Sequence, residues 1–95
     1  MIFEFDEQKN QRNIELRGID FRLVEELEWH KAILWRDERK NYGEIRECAL
    51  ALMDGRIYAV TFTMRSGNIR IISFRKANKR ESKKYEKEKS KSRID

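Results

Sequence analysis

Ninety-five residues, of which 39% are hydrophobic and 41% charged, suit one small domain with a single core and leave no room for a second. No apolar run approaches a membrane span, acids stand near the N-terminus where a secretory signal carries bases, and the lone Cys48 rules out an internal disulfide, so a cytoplasmic protein is expected. The net charge of +5 is uneven: Arg75 to Asp95 holds ten Lys or Arg against four Asp or Glu, while Met1 to Phe74 holds twelve against thirteen. That basic segment favours a polyanionic partner, nucleic acid before a membrane surface, because it lacks the apolar face that would enter lipid.

In chain order, Phe3 and Phe5 alternate with polar or smaller neighbours as a short strand that Asp6 ends. Asp6 can cap a mostly wet helix from Glu7 to Arg17, which Gly18 stops in the left-handed conformation. Asp20 can cap a second helix that presents Phe21, Leu23, Val24 and Leu27 before Trp29. Ala32 to Trp35 reads as a short strand and Arg36 to Gly43 as a charged connection. Glu44 to Met53 and Arg56 to Met64 are strands joined by the hairpin pair Asp54-Gly55, with Tyr58, Val60, Phe62 and Met64 on the bulkier, core-side face. Ser66 to Asn68 turns the chain into a third meander strand, Ile69 to Phe74, and a basic helix follows. Helices segregated from a mainly antiparallel sheet define an α+β domain over residues 1–85, with a charged, fraying tail at 86–95.

The chemistry available is narrow. One histidine, one cysteine and no carboxylate loop spacing give no metal constellation, and no phosphate-cradling glycine pattern is present, so neither a metal nor a cofactor is expected. Cys48, flanked by Ala49 and Leu50, reads as a small core residue. An apolar strand carrying Arg70 and Arg75 into a helix fixes cations where a phosphate could sit. In a regular strand these two arginines point to opposite faces, and they converge only where the chain bends or enters the helix near Arg75. Ala77, Glu81 and Tyr85 fall at four-residue spacing on one helix stripe, either a packing face or part of a site.

Read functionally, this is metal-free phosphodiester cleavage in RNA: arginine holds the phosphate while Glu81, Tyr85, Lys84 or His30 moves protons. Phosphate contacts are expected from Arg17, Arg65, Lys76, Lys79, Arg80, Lys83 and Lys84, alongside Arg75. The plainer alternative is a solvated basic surface, with both tryptophans in the core.

Several blocks together resemble a known family. Phe3-Glu4-Phe5-Asp6-Glu7-Gln8-Lys9-Asn10, Asn13, Gly18-Ile19-Asp20-Phe21, Arg39-Lys40-Asn41-Tyr42-Gly43-Glu44-Ile45-Arg46 and Ile69 to Ala77, with Glu81 and Tyr85, are similar to the BrnT toxins, ribonucleases of bacterial type II toxin-antitoxin pairs. The resemblance implies a RelE-like fold, a twisted, mainly antiparallel sheet on two N-terminal helices with a basic C-terminal helix. It also implies metal-independent endoribonuclease activity that inhibits translation and a cognate BrnA-like antitoxin through which alone operator DNA is bound. Family site residues map onto Arg70, Arg75, Glu81 and Tyr85. One departure stands out: the family usually carries Lys-His where this chain has Leu16-Arg17, which leaves open a weakened or inactive, purely binding module.

Overall fold

The computed structural model describes residues 2–94 and the side chains of residues 2–91. Helix α1 spans Glu7–Arg17 and ends as its local sequence dictates. The Asp6 carboxylate accepts from the N–H groups of Gln8 and Lys9 at 2.8 and 3.2 Å, and Gly18 at φ +69° donates to the Ile14 carbonyl. Such a polar helix cannot dock by apolar burial, and its buried residues are two asparagines. Asn10 donates to Asp20 and accepts from the Phe21 N–H, and Asn13 donates to the carbonyls of Ile19 and Phe74, both at 2.9 Å. These bonds fix α1 to the loop that follows it and to the sheet.

The second expected helix is instead a 3₁₀ segment, Phe21–Glu26, capped by Asp20, and a shorter one follows at Trp29–Lys31. Its buried residues Phe21 and Val24, with Leu27 just after it, repeat every three positions, the period of a 3₁₀ turn, which leaves Leu23 exposed. The Trp29 indole donates to the Val24 carbonyl and stacks on Phe3.

Five strands form one mixed sheet: β1 Phe3–Glu4, β2 Ile33–Arg36, β3 Arg46–Met53, β4 Arg56–Arg65 and β5 Asn68–Lys76, in the order β1-β5-β4-β3-β2. The β1–β5 pairing is parallel and the other three are antiparallel. Positive φ at both Asp54 and Gly55, and again at Ser66 and Gly67, gives the two hairpins the turn twist that flanking strands favour. One face of the sheet packs Ala49, Ala51, Val60, Phe62, Ile69, Ile71 and Phe74 against Ile19, Phe21, Val24 and Leu27. Met64, expected on that core face, lies beyond the covering segments and is half exposed.

Helix α2, Lys79–Ile94, crosses the opposite face. Tyr85 is buried there with Leu50 and Ala59, and Ile33, Trp35, Leu52, Ile57 and Ala77 pack around them. The helix begins two residues after Ala77, so the stripe expected through Ala77, Glu81 and Tyr85 is helical only at its last two members. Residues 86–94 continue the helix, where the sequence suggests fraying.

Strand β5 also departs from simple alternation. Thr61 pairs with Ser73 while the next residue, Phe62, pairs with Ile71, so β5 carries an extra residue at a bulge. Ile71 and Phe74, three apart, therefore both reach the core. The same bulge puts Arg70 and Arg75 on one face, opposite Thr63 and Ala59 of β4, although the strand runs unbroken through Lys76. A bend or helix entry at Arg75 is not what brings them together.

Candidate nucleic-acid interface

The face that α2 crosses is only half covered. Past the first turn of the helix, Tyr85 seals the sheet over Leu50 and Ala59. Beside its first turn, a cleft of about 450 Å³ opens over Cys48 and Thr61, with Trp35 and the Asp37–Arg39 loop on one side and Arg75 and Glu81 on the other.

The Arg75 side is built from sequence-local parts. Asn78 and Glu81 form a reciprocal capping box: the Glu81 N–H donates to the Asn78 side chain at 2.8 Å, and the Asn78 N–H donates to Glu81 at 3.0 Å. Glu81 thereby stands on the first turn of α2, and Arg75 reaches it from β5 with two parallel bonds of 2.7 and 2.9 Å. These bonds hold the Glu81 carboxyl below its ordinary value and push the Arg75 guanidinium up. A carboxylate so engaged is a weak base near neutral pH. Arg75 Nη1 also donates to the Lys76 carbonyl at 3.4 Å, which leaves its Nε–H and one Nη2 hydrogen for a ligand.

Arg70 shares this face, with Cα about 13 Å further along the sheet, judging from the four-residue offset of their β4 partners. Its closest carboxylate is Glu4 at 3.5 Å, a looser contact than the Arg75 fork. Arg65 lies at the same end, 3.9 Å from Glu44. Lys84 holds its ammonium 3.7 Å from the ring centroid of Trp35, a residue that lines the cleft. Lys79, Arg80 and Lys83 are exposed on the first turns of α2 and form no ion pair among the described residues.

Other sequence candidates stand elsewhere. Tyr85 is 5% exposed, its hydroxyl donates to the Lys31 carbonyl at 3.3 Å, and burial raises its pKa. Lys76 pairs with Tyr58 and falls on the sheet face opposite Arg75. Arg17 lies at the end of α1, in a shallow hollow shared with Leu16, Ile72 and Ser73 beside the bulge. Cys48 is half-buried on the cleft floor, not in the main core, with its thiol pushed up by burial. The tryptophans are partly buried, Trp29 in the main core and Trp35 in the second cluster.

Asp37 and Arg39 were hidden in a run of mixed charge, Arg36 to Lys40. Asp37 is buried, and its carboxylate accepts two bonds of 2.8 Å from the Arg39 guanidinium, one from the Arg39 N–H and one from the Tyr42 hydroxyl. The Arg39 bonds, foremost among these, hold Asp37 well below the usual carboxylate range. The usable sequence signal was the Asp-x-Arg spacing followed by Tyr42.

The sequence model of a family described as ribonuclease toxin, BrnT, of type II toxin-antitoxin system, matches residues 5–81. The chain belongs to the BrnT family. A search of curated proteins gives no match. BrnT membership brings a ribonuclease toxin's general kind, with RNA as target and an antitoxin as partner. The match covers α1, the whole of β2 to β5, the Asp37–Arg39 loop and the Arg75–Glu81 fork, and so includes every wall of the cleft. Among the described residues no helix is long and apolar enough to cross a membrane.

Proposed function

We propose that this chain is a metal-independent endoribonuclease toxin that cuts RNA at the groove bearing Arg70 and Arg75 and is neutralised by a cognate, BrnA-like antitoxin. The observation that carries the reading is the Arg75–Glu81 fork at the edge of an open polar cleft, on the face that the bulge gives to Arg70. In the reaction the ribose 2′-hydroxyl loses its proton and attacks phosphorus. Negative charge grows on the phosphate oxygens, the bond to the 5′-oxygen breaks as that oxygen gains a proton, and a 2′,3′-cyclic phosphate remains. Arg75, fixed before substrate arrives, supplies N–H donors to those oxygens at no reorganisation cost, and Arg70 holds the strand further along. Glu81 positions Arg75, and Tyr85 anchors α2 beneath it. Lys79, Arg80, Lys83 and Lys84 guide the polyanion to the groove, with Arg65 and Arg17 at its margins.

The sheet with its helical segments on one face and α2 on the other supports a RelE-like relationship, and a cytoplasmic setting suits a translation inhibitor. The test is cleavage of a defined RNA in EDTA, beside the same RNA with a 2′-deoxy residue at the cut position. Cleavage that leaves a cyclic phosphate, and stops at the deoxy residue, is expected. Cutting that needs added metal, or ignores the missing hydroxyl, contradicts the mechanism.

A second reading, a module that binds antitoxin or nucleic acid without cutting, is favoured by one feature. Leu16, 81% exposed, and Arg17 occupy the end of α1 where the family usually has Lys-His. A folded wild type that binds RNA and leaves it whole selects this reading.

A further inference from the structure

We infer that the cleft between the Asp37–Arg39 loop and the Arg75–Glu81 fork is a substrate subsite, in which Arg39 holds the phosphate next to the one being cut. The inference rests on the ribonuclease reading and extends it to a second arginine, on the far wall of the cleft.

The two walls use the same device. Arg75 is fixed by a carboxylate on α2 at 2.7 and 2.9 Å, and Arg39 by a carboxylate at the end of β2 at 2.8 Å twice. A loop arginine whose side chain is 79% exposed ordinarily samples many rotamers, because a surface pair gains little by ordering it. Here the partner is 2% exposed and surrounded by donors, so the guanidinium is pinned in place at the cleft wall. Its Nε–H and one Nη2 hydrogen are committed to Asp37; both Nη1 hydrogens and the second Nη2 hydrogen remain. Pre-fixed, uncommitted N–H donors of this kind suit a phosphate oxygen.

The surroundings fit a nucleotide. The volume of about 450 Å³ lies within the range of small-ligand sites, the floor offers the hydroxyl of Thr61, and Trp35 gives an aromatic wall. The charges of Asp37 and Glu81 are tied up in their forks, so affinity here comes from placed donors, and a loss at Arg39 should weaken substrate binding more than the chemical step.

The experiment compares wild type, Arg39→Ala, Arg39→Lys and, as a cation on the 3₁₀ segment that covers the opposite sheet face, Arg22→Ala. Steady-state cleavage of a short RNA is measured, with fluorescence anisotropy on its uncleavable 2′-O-methyl counterpart. Arg39→Ala is expected to raise KM and Kd roughly tenfold, the effect of one charge-assisted hydrogen bond, with kcat held within about twofold. Arg39→Lys should recover only part, since an ammonium cannot fill the Asp37 fork and present further donors together. Arg22→Ala should match wild type in KM, kcat and Kd. If Arg39→Ala melts early because Asp37 is left unpaired, the neutral pair Asp37→Asn with Arg39→Gln replaces it, and the same rise in KM is expected. A folded variant with wild-type KM and Kd overturns the subsite and leaves the nuclease reading standing. A fall in kcat at unchanged KM overturns it as well. A wild type that neither binds nor cuts RNA overturns both.

Discussion

Replacing Glu81 with alanine removes two structures at once: the box that starts α2 and the fork that holds Arg75. Loss of a capping side chain costs about 1 kcal/mol. The Arg75 and Glu81 side chains are 38% and 18% exposed, so their ion pair is discounted to about 1 kcal/mol for solvent screening. Together these give about 2 kcal/mol, and at about 4–8 °C per kcal/mol for a domain of this size the melting temperature should fall by roughly 8–16 °C. Glu81→Gln keeps the cap, because glutamine serves in the box, and loses the charge, so it should fall only about half as far. Melting followed by circular dichroism measures both. The pH dependence carries a sign. The folded Glu81 pKa lies below its ordinary value of 4.5, so its contribution is present above 4.5 and is lost as pH falls through the folded value. The gap between wild type and Glu81→Gln should therefore be full at neutral pH and close in acid. An alanine variant within about 2 °C of wild type, or a gap that widens in acid, would refute the reasoning.

Three further outcomes are expected. Tyr85→Phe removes a single 3.3 Å bond to a backbone carbonyl and should cost under about 1 kcal/mol with cleavage unchanged; a hundredfold loss of rate in a folded variant would put the phenol in the chemistry. Leu16→Lys combined with Arg17→His, which restores the residues usual in the family, should raise the cleavage rate, and an unchanged rate would show that this end of α1 takes no part. Truncation after Tyr85 should preserve cooperative melting within about 5 °C, since the described side chains beyond it are exposed apart from a half-buried Lys89; a non-cooperative melt would move the domain boundary outward.

What could be read from the sequence was what local chemistry decides. Asp6 and Gly18 mark the ends of α1 because a cap and a left-handed stop act within one turn. Asp54-Gly55 and Ser66-Gly67 mark the hairpins for the same reason. The bulge was hidden because Ile69, Ile71 and Ile72 supply apolar side chains at either parity, and only pairing with β4 shows which residue is extra. That one residue decides whether Arg70 and Arg75 share a face, so the central geometry of the candidate site was out of reach. Tyr85 was ambiguous for a related reason: a phenol on a basic helix suits a site or a core equally, and the Leu50–Ala59 surface beneath it decides. Asp37 looked like one more surface acid, and its burial follows from the return of the chain at Tyr42.

Single-turnover cleavage of RNA in EDTA by wild type, Arg75→Ala and Arg75→Lys, each confirmed folded by its melt, tests the proposed chemistry most directly. If the Glu81-held guanidinium stabilises charge growing on the phosphate, alanine should lower the rate by about a hundredfold or more, and lysine should restore little because it cannot refill the fork. Cleavage by folded Arg75→Ala at the wild-type rate would contradict the assignment of this cleft edge as the catalytic site.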